Sequence, residues 1–213
     1  RSGKQRTLYA AKALELKKEL ESGGCADGGG KLQILSGLMR LRQICCDPRL
    51  CLKDYRAGSA KLETCVDLIR RGVEGEHKIL VFSQFASMLE LIGERLEKEK
   101  IACYKLTGAV SKEERLRLVS LFSKDTVPVF LISLKAGGTG LNLTAADIVI
   151  HYDPWWNVAA QNQATDRAHR IGQEKQVTVY RLITQNTVEE NILKLQETKR
   201  ELADQVVTGE GIS

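Results

Sequence analysis

Two arginines lie three positions apart in a polar stretch, residues 163–173, which reads QATDRAHRIGQ. The helix that we predict over residues 157–170 would carry Arg167 and Arg170 on one face, because side chains at i and i+3 are neighbours on a helix. A guanidinium is permanently charged and presents a planar fork of donors that suits phosphate oxygens. The stretch therefore indicates either a phosphate-binding cluster, with Gln163, Asp166 and His169 alongside, or a solvated basic face.

A glycine-rich loop precedes this stretch. The apolar run 127–132 is typical of a buried strand, and it is followed by Lys135, Gly137, Gly138, Thr139 and Gly140. Backbone N–H groups of such a loop can approach a phosphate closely, because glycine has no side chain in the way. In an open α/β sheet the loop would lie at the carboxyl ends of the strands, where ligands bind. A tight structural turn is the alternative.

Strands and helices alternate along the chain, which predicts the architecture that must position these residues. We predict strands at 79–82, 102–106, 127–132, 148–152 and 177–183. We predict helices at 1–21, 32–45, 59–71, 86–100, 111–122, 157–170 and 187–207, with a glycine-rich break at 22–30. Capping-box pairs begin two of the helices, Ser111 with Glu114 and Thr187 with Glu190. The alternation indicates a three-layer α/β domain with a parallel sheet.

These stretches, in this order, resemble the motifs of the Swi/Snf family of DNA translocases, within helicase superfamily two. Residues 163–173 match the family's motif VI, Gln-x-x-Asp-Arg-x-x-Arg-Ile-Gly-Gln, without a departure. Residues 133–142 resemble motif V, and residues 78–85 resemble motif IV. The resemblance implies a RecA-like second lobe with a P-loop NTPase-like fold. It would consist of a helical flank at 1–57, the lobe itself at 58–186 and a C-terminal bracing helix at 187–213.

The resemblance also implies roles for individual residues. Arg167 and Arg170 would be arginine fingers, which stabilise charge on the phosphoryl group as ATP is hydrolysed. Other nucleotide contacts would come from Gly140, Asn142, Gln163 and Asp166. Contacts to the DNA backbone would come from loop ends at the same sheet edge, namely Ser83, Gln84, Thr107, Gly108, Ser133, Lys135 and Thr139. Trp155 and Trp156 would couple DNA to the nucleotide site, with at least one of them packed in the core.

Two parts of an ATP-hydrolysing motor are missing from the sequence. No Gly-x-x-x-x-Gly-Lys-Ser/Thr P-loop occurs, and no Asp-Glu pair occurs that would hold Mg²⁺. The run Gly28–Lys31 resembles the end of a P-loop but lacks the Ser or Thr that follows the lysine there. We therefore expect a second lobe that works on ATP with Mg²⁺, the ion being held mainly by a first lobe. Alone, the chain should hydrolyse essentially no ATP, and Arg1 in place of Met suggests a fragment.

Composition indicates the class of protein to which the chain belongs. It has 213 residues, 43% hydrophobic and 28% charged, with a net charge of +5, which is ordinary for a globular protein and permits nucleic-acid binding. No apolar run is long enough to span a bilayer, so we expect no membrane partner. The 6 cysteines and 3 histidines lack the paired spacing of a zinc site, so we predict no metal site and free thiols.

The resemblance implies double-stranded DNA, the first lobe of the same protein and a protein–DNA complex as partners. It suggests a bacterial cytoplasmic protein at the nucleoid, or a nuclear one if eukaryotic. Two other functions stay open. An RNA helicase lobe usually carries further Gly-Arg repeats in motif VI. A non-catalytic interaction module would have lost the motor chemistry, and the two intact arginines argue against that loss.

Overall fold

The computed structural model describes residues 2–22, 28–134, 141–155 and 176–208. Helices α1 (Ser2–Glu21) and α2 (Gly28–Cys46) come first, and a short 3₁₀ turn (Pro48–Leu50) follows them. The remaining elements are, in chain order, α3 (Ala60–Glu74), β1 (Ile79–Ser83), α4 (Ala86–Lys98), β2 (Cys103–Leu106), α5 (Lys112–Lys124), β3 (Val129–Ser133), β4 (Ile148–His151), β5 (Thr178–Arg181) and α6 (Val188–Thr208).

The five strands form one parallel sheet in the order β2-β3-β1-β4-β5. The first strand of the sequence is therefore its centre. Strands β1, β3 and β4 are buried at every position, whereas the edge strands β2 and β5 are only partly covered. Because a strand covered on both faces needs apolar side chains at every position, the continuous apolar runs of the sequence correctly predicted these three strands.

Alternate residues of the strands face two separate hydrophobic clusters, so the domain has three layers. Helices α3 and α4 cover one face, where they pack on Ile79, Val81 and Leu131. Helix α5 and Trp155 cover the other face, packing on Phe82 and Phe130. The three-layer parallel α/β prediction is confirmed.

Side chains at the start of three helices accept hydrogen bonds from the first turn. The Ser59 hydroxyl accepts from the Leu62 N–H at 3.3 Å. Ser111 accepts from the Glu114 N–H at 3.2 Å, as predicted, but the Glu114 carboxylate pairs with Arg117 at 2.5 Å instead of completing a capping box. At the start of α6 the hydroxyl of Thr187 accepts from the Glu189 N–H at 3.2 Å.

The flanking helices form a cluster of their own with the start of α6. Leu16, Leu41, Cys45 and Val188 are its buried members. The Val188 N–H donates to the hydroxyl of Tyr9 at 2.8 Å, which connects the two ends of the described chain. Helix α2 begins at Gly28, so it takes in the last three residues of the glycine-rich break that we predicted.

A buried ion pair joins α3 to α6. The Lys61 ammonium lies 2.5 and 2.6 Å from the two carboxylate oxygens of Glu189. The two side chains are only 4% and 1% exposed. The Thr184 N–H also donates to this carboxylate, at 2.8 Å, and the ammonium lies 5.5 Å from the centre of the Tyr152 ring.

Within the described residues, no helix has the length and apolar character needed to cross a membrane.

Candidate nucleic-acid and nucleotide interface

The strands end level with one another at the carboxyl edge of the sheet. Ser83, the last residue of β1, pairs with Ser133, the last residue of β3. Phe82 pairs with His151 at the end of β4, and Leu106 at the end of β2 pairs with Ile132. The loops that follow these strands therefore leave the sheet side by side, which brings the described residues of the predicted site to one edge.

The exits of β1 and β4 are joined through Asp153. The Ser83 hydroxyl donates to one carboxylate oxygen of Asp153 at 2.5 Å, and the Gln84 N–H donates to the other at 3.1 Å. The Phe85 N–H in turn donates to the Ser83 hydroxyl at 3.1 Å. Ser83 is fully buried, so the DNA contact that we predicted for it cannot come from its hydroxyl in this conformation.

Asp153 is 1% exposed, and this burial raises the pKa of its carboxyl to about 6. Desolvation disfavours the charged form, while the bond from Ser83 and the charge of Lys61 act in the opposite direction. Asp153 was not among the predicted site residues. The available signal was a carboxylate directly after a buried strand, in the run Asp153–Trp156.

Arg42 reaches this edge from α2 and is only 4% exposed. Its Nη2 donates to the side-chain oxygen of Gln84 and, at 3.1 Å, to the carbonyl oxygen of Pro154. Its guanidinium lies 5.7 Å from the centre of the Phe85 ring. Burial lowers the pKa of Arg42, and the nearby Asp153 carboxylate offsets part of that effect. We refer to Arg42, Ser83, Gln84, Asp153 and Pro154 together as the junction.

Trp155 lies next to the junction and is 1% exposed. Its ring meets Phe82 edge to face at 6.1 Å between centroids and His151 at 5.4 Å. The prediction that at least one of the two neighbouring tryptophans packs in the core is correct for Trp155. Burial among these rings lowers the pKa of His151 to about 4, so the imidazole is neutral near pH 7.

Four other described site residues end or follow β2 and β3 in the chain. Thr107 is half-buried and Gly108 is exposed, both directly after β2. The Ser133 hydroxyl is buried, and it has no hydrogen-bond partner among the described residues. Asn142 is exposed, and its side-chain oxygen accepts from the Thr144 hydroxyl at 2.9 Å and from the Thr144 N–H at 3.3 Å. This local turn presents Asn142 on the surface between β3 and β4.

Several predicted site residues lie outside the described residues. They are Lys135, Thr139 and Gly140 of the glycine-rich loop, Trp156, and Gln163, Asp166, Arg167 and Arg170 of the polar stretch. Their roles stay predictions.

The five cysteines within the described residues are buried or half-buried free thiols. Cys45 and Cys65 are 2% and 0% exposed, and burial raises the pKa of each thiol to about 12. A thiol with so high a pKa is a poor metal ligand, because metal binding requires the thiolate. Over the described ranges, no three or more His, Cys, Asp or Glu side chains converge in a way that would hold a metal ion.

The chain is similar in sequence to known helicases. Residues 60–172 match the model of the family described as "Helicase conserved C-terminal domain". YwqA of Bacillus subtilis, whose name assigns it to the ATP-dependent helicases and translocases, is 47% identical over 188 residues. That match covers 84% of this chain and 20% of YwqA. The chromatin-remodeling ATPase INO80 of Neurospora crassa is 42% identical over 159 residues, which is 74% of this chain and 8% of INO80.

Solved structures share the fold. The Sulfolobus solfataricus SWI2/SNF2 ATPase core in complex with dsDNA has a TM-score of 0.80 and 36% identity, covering 97% of this chain and 44% of that one. The C-terminal domain of the same ATPase has a TM-score of 0.77 and 34% identity, covering 93% and 82%. The chain thus spans only 20% of the length of its relative YwqA. It belongs to the helicase conserved C-terminal domain family and is a RecA-like C-terminal lobe of the SWI2/SNF2 type.

Proposed function

We propose that this chain is the second motor lobe of an ATP-dependent double-stranded DNA translocase. The observation that carries the proposal is the level ending of β1, β2, β3 and β4 at one sheet edge. The predicted DNA-contact residues Ser83, Gln84, Thr107, Gly108 and Ser133 end β1, β2 and β3 or follow them directly, which supports the proposal. The likeness to an ATPase core that binds dsDNA supports the same reading.

The lobe's part in ATP hydrolysis is to stabilise developing charge. Arg167 and Arg170 act as arginine fingers on the phosphoryl group, and such a finger is worth ~10³–10⁵ in rate. Gln163 and Asp166 orient the fingers, and Gly140 and Asn142 approach the nucleotide from the loop after β3. ATP binds with Mg²⁺, which the first lobe holds. The chain alone is therefore inactive as an ATPase.

The lobe's part in DNA binding is to hold the backbone. Thr107 and Gly108 are accessible beyond β2, and the buried Ser133 hydroxyl lies just before the loop with Lys135 and Thr139. Hydroxyls, backbone amides and a lysine suit phosphates and read no base sequence. A translocase needs such contacts, because each step along the duplex must be equally tolerated. Trp155, buried beside the junction, couples the two sites together with Trp156.

The proposed organisation of the chain is a lobe at 58–186 between a helical flank at 1–57 and a bracing helix at 187–213. The packing of α1 and α2 on Val188 supports the idea that the two flanks brace each other. The partners are the first lobe of the same protein, double-stranded DNA and a protein–DNA complex as the substrate that is moved.

The test is ATP turnover by the intact protein that contains this chain, measured with duplex DNA, single-stranded DNA and RNA. We expect stimulation by duplex DNA. Arg170→Ala should lower kcat by ~10³-fold or more while the Kd for duplex DNA changes little. Arg71→Ala, which removes an exposed arginine of α3, is the matched control and should behave as wild type. Preference for RNA would favour the RNA helicase alternative, and turnover near normal in Arg170→Ala would exclude the finger role.

A further inference from the structure

A flanking helix contributes a buried cation to the carboxyl edge of the sheet. Arg42 lies on α2, outside the range 60–172 that the family model matches, yet its guanidinium is buried against Phe85 at that edge. Its neighbour Arg40 on the same helix is exposed. Burying a guanidinium is costly unless specific acceptors compensate for the lost water. The acceptors therefore indicate what Arg42 does.

Two acceptors of Arg42 belong to different strand exits. The side-chain oxygen of Gln84 lies directly after β1, and the carbonyl oxygen of Pro154 lies after β4. A single nitrogen, Nη2, serves both. Asp153 joins the same exits through Ser83 and the Gln84 N–H. The β4 exit is thus bound to the β1 exit through its own Asp153 and to α2 through Arg42.

The chain that leaves the junction leads directly into the polar stretch. Pro154 precedes Gln163 by 9 positions and Arg170 by 16 positions in the sequence. The carbonyl that Arg42 holds is therefore close to the point from which the segment with the two arginines departs. A displacement of about 1 Å in a catalytic group can lower a rate by about 10²-fold, so the position of this departure point matters for catalysis.

We propose that Arg42 is a positioning residue, which sets the placement of Arg167 and Arg170 by holding the Pro154 carbonyl against the β1 exit. The proposal rests on the proposed function, because it takes those arginines to be the fingers. Arg42 acts through backbone geometry and does not itself contact a phosphate, since it is 4% exposed. A helix that precedes the lobe thereby influences ATP hydrolysis within it.

The experiment uses the intact protein with Arg42→Met, Arg42→Lys and, as the matched control, Arg40→Met. Methionine keeps the apolar stem of Arg42 and removes every donor. Duplex-stimulated ATP turnover, the KM for ATP, the Kd for duplex DNA and the melting temperature are measured for each. We expect Arg42→Met to lower kcat by ~10–100-fold with KM and Kd within about 3-fold of wild type. Arg40→Met should match wild type in all four measurements.

Arg42→Lys tests whether the geometry of the guanidinium is required or whether any buried cation at this position is enough. Lysine keeps the buried charge, but it is shorter and lacks the planar fork that lies against Phe85. We expect partial recovery of kcat relative to Arg42→Met, again at unchanged KM. If Arg42→Met does not fold, a folded Arg42→Lys with kcat reduced ~10-fold still supports positioning. A folded Arg42→Lys with wild-type kcat would then overturn it, because any cation would serve.

Other outcomes overturn the inference without touching the proposed function. Wild-type kcat in Arg42→Met, together with an inactive Arg170→Ala, would leave the fingers in place and remove the positioning role. A loss of duplex DNA affinity in proportion to the loss of kcat would show that Arg42 acts on DNA instead. An Arg170→Ala protein that turns over normally would refute the proposed function, and the inference with it.

Discussion

Breaking the buried ion pair between Lys61 and Glu189 should cost a large part of the stability of this chain. Glu189→Gln keeps the shape of the side chain and an oxygen for the Thr184 N–H, but it removes the charge that faces the ammonium. Burial lowers the pKa of the Lys61 ammonium and Glu189 raises it, and the balance leaves that pKa above its ordinary value. Without Glu189 the desolvation loses the only carboxylate that is hydrogen-bonded to the ammonium among the described residues, and the charge of Asp153 offsets only part of it.

The size of the effect follows from the burial of the pair. Both side chains are at most 4% exposed, so water cannot replace the lost partner. An uncompensated buried charge of this kind costs ~3–5 kcal/mol. Domains typically have a free energy of unfolding of ~5–15 kcal/mol, so Glu189→Gln should remove roughly a fifth or more of it. Lys61→Met should cost a similar amount, because it leaves the carboxylate buried instead.

The double variant Lys61→Met/Glu189→Gln gives the decisive comparison. It removes both charges and keeps the acceptor for Thr184, so its free energy of unfolding should lie within ~2 kcal/mol of wild type. Urea unfolding followed by circular dichroism measures all four proteins of this double-mutant cycle. Two single variants whose losses simply add in the double variant would refute the reasoning.

An exposed ion pair supplies the control. The Lys105 ammonium lies 2.6 Å from the Glu90 carboxylate, close to the distances in the buried pair, but these side chains are 38% and 54% exposed. Glu90→Gln should change the free energy of unfolding by less than ~1 kcal/mol, because water screens such a pair. A loss in Glu90→Gln as large as that in Glu189→Gln would show that burial does not set the cost.

Three further predictions concern packing around the sheet. His151 has a folded pKa of about 4 against an ordinary 6.5, so it supports the fold above pH 6.5 and that support is lost as pH falls towards 4. Wild type should therefore lose ~2 kcal/mol of its free energy of unfolding between pH 7.0 and pH 4.5 through this group, and His151→Phe should remove that loss. Urea unfolding at the two pH values measures it, and an unchanged difference between them in His151→Phe would contradict the prediction. Gly93→Ala in α4 should raise the free energy of unfolding by ~0.5–1 kcal/mol, because its new Cβ would lie at an ordinary 3.6 Å from Leu131. Gly72→Ala in α3 should instead lower it by ~1–2 kcal/mol, because its Cβ would lie only 2.6 Å from the Ile79 side chain, and equal effects at the two sites would contradict the packing argument.

The architecture could be predicted from the sequence because its central strands are unambiguous. Runs such as Ile79–Phe82 are apolar at every position, as a strand covered on both faces requires, and they are too short for a buried helix. In a parallel sheet the carboxyl ends of all strands lie at the same edge. Thr107, Ser133 and Asn142, which end or follow strands, were therefore expected at that edge. The family resemblance supplied the roles, and local periodicity alone would not have done so.

The junction could not be predicted, because its contacts are long-range. Arg42 and Pro154 are 112 positions apart, and nothing local to either residue marks the pair. Ser83 was expected to face DNA because it follows a strand, yet its hydroxyl turns inward to Asp153. A serine at a strand end can face either way, and a partner 70 positions later decides which. The start of α2 at Gly28 was missed because helix propensity disfavours glycine.

The central position of β1 has a consequence for synthesis of the chain on the ribosome. Its first sheet partner, β3, begins at Val129, 46 residues after Ser83. At roughly 5–20 residues per second, about 2–9 s pass before that partner can emerge. During that time a five-residue apolar strand has both of its edges open to pairing with other chains, while α4 offers cover for one face only. A nascent chain of this protein should therefore be most in need of a chaperone between the emergence of β1 and that of β3.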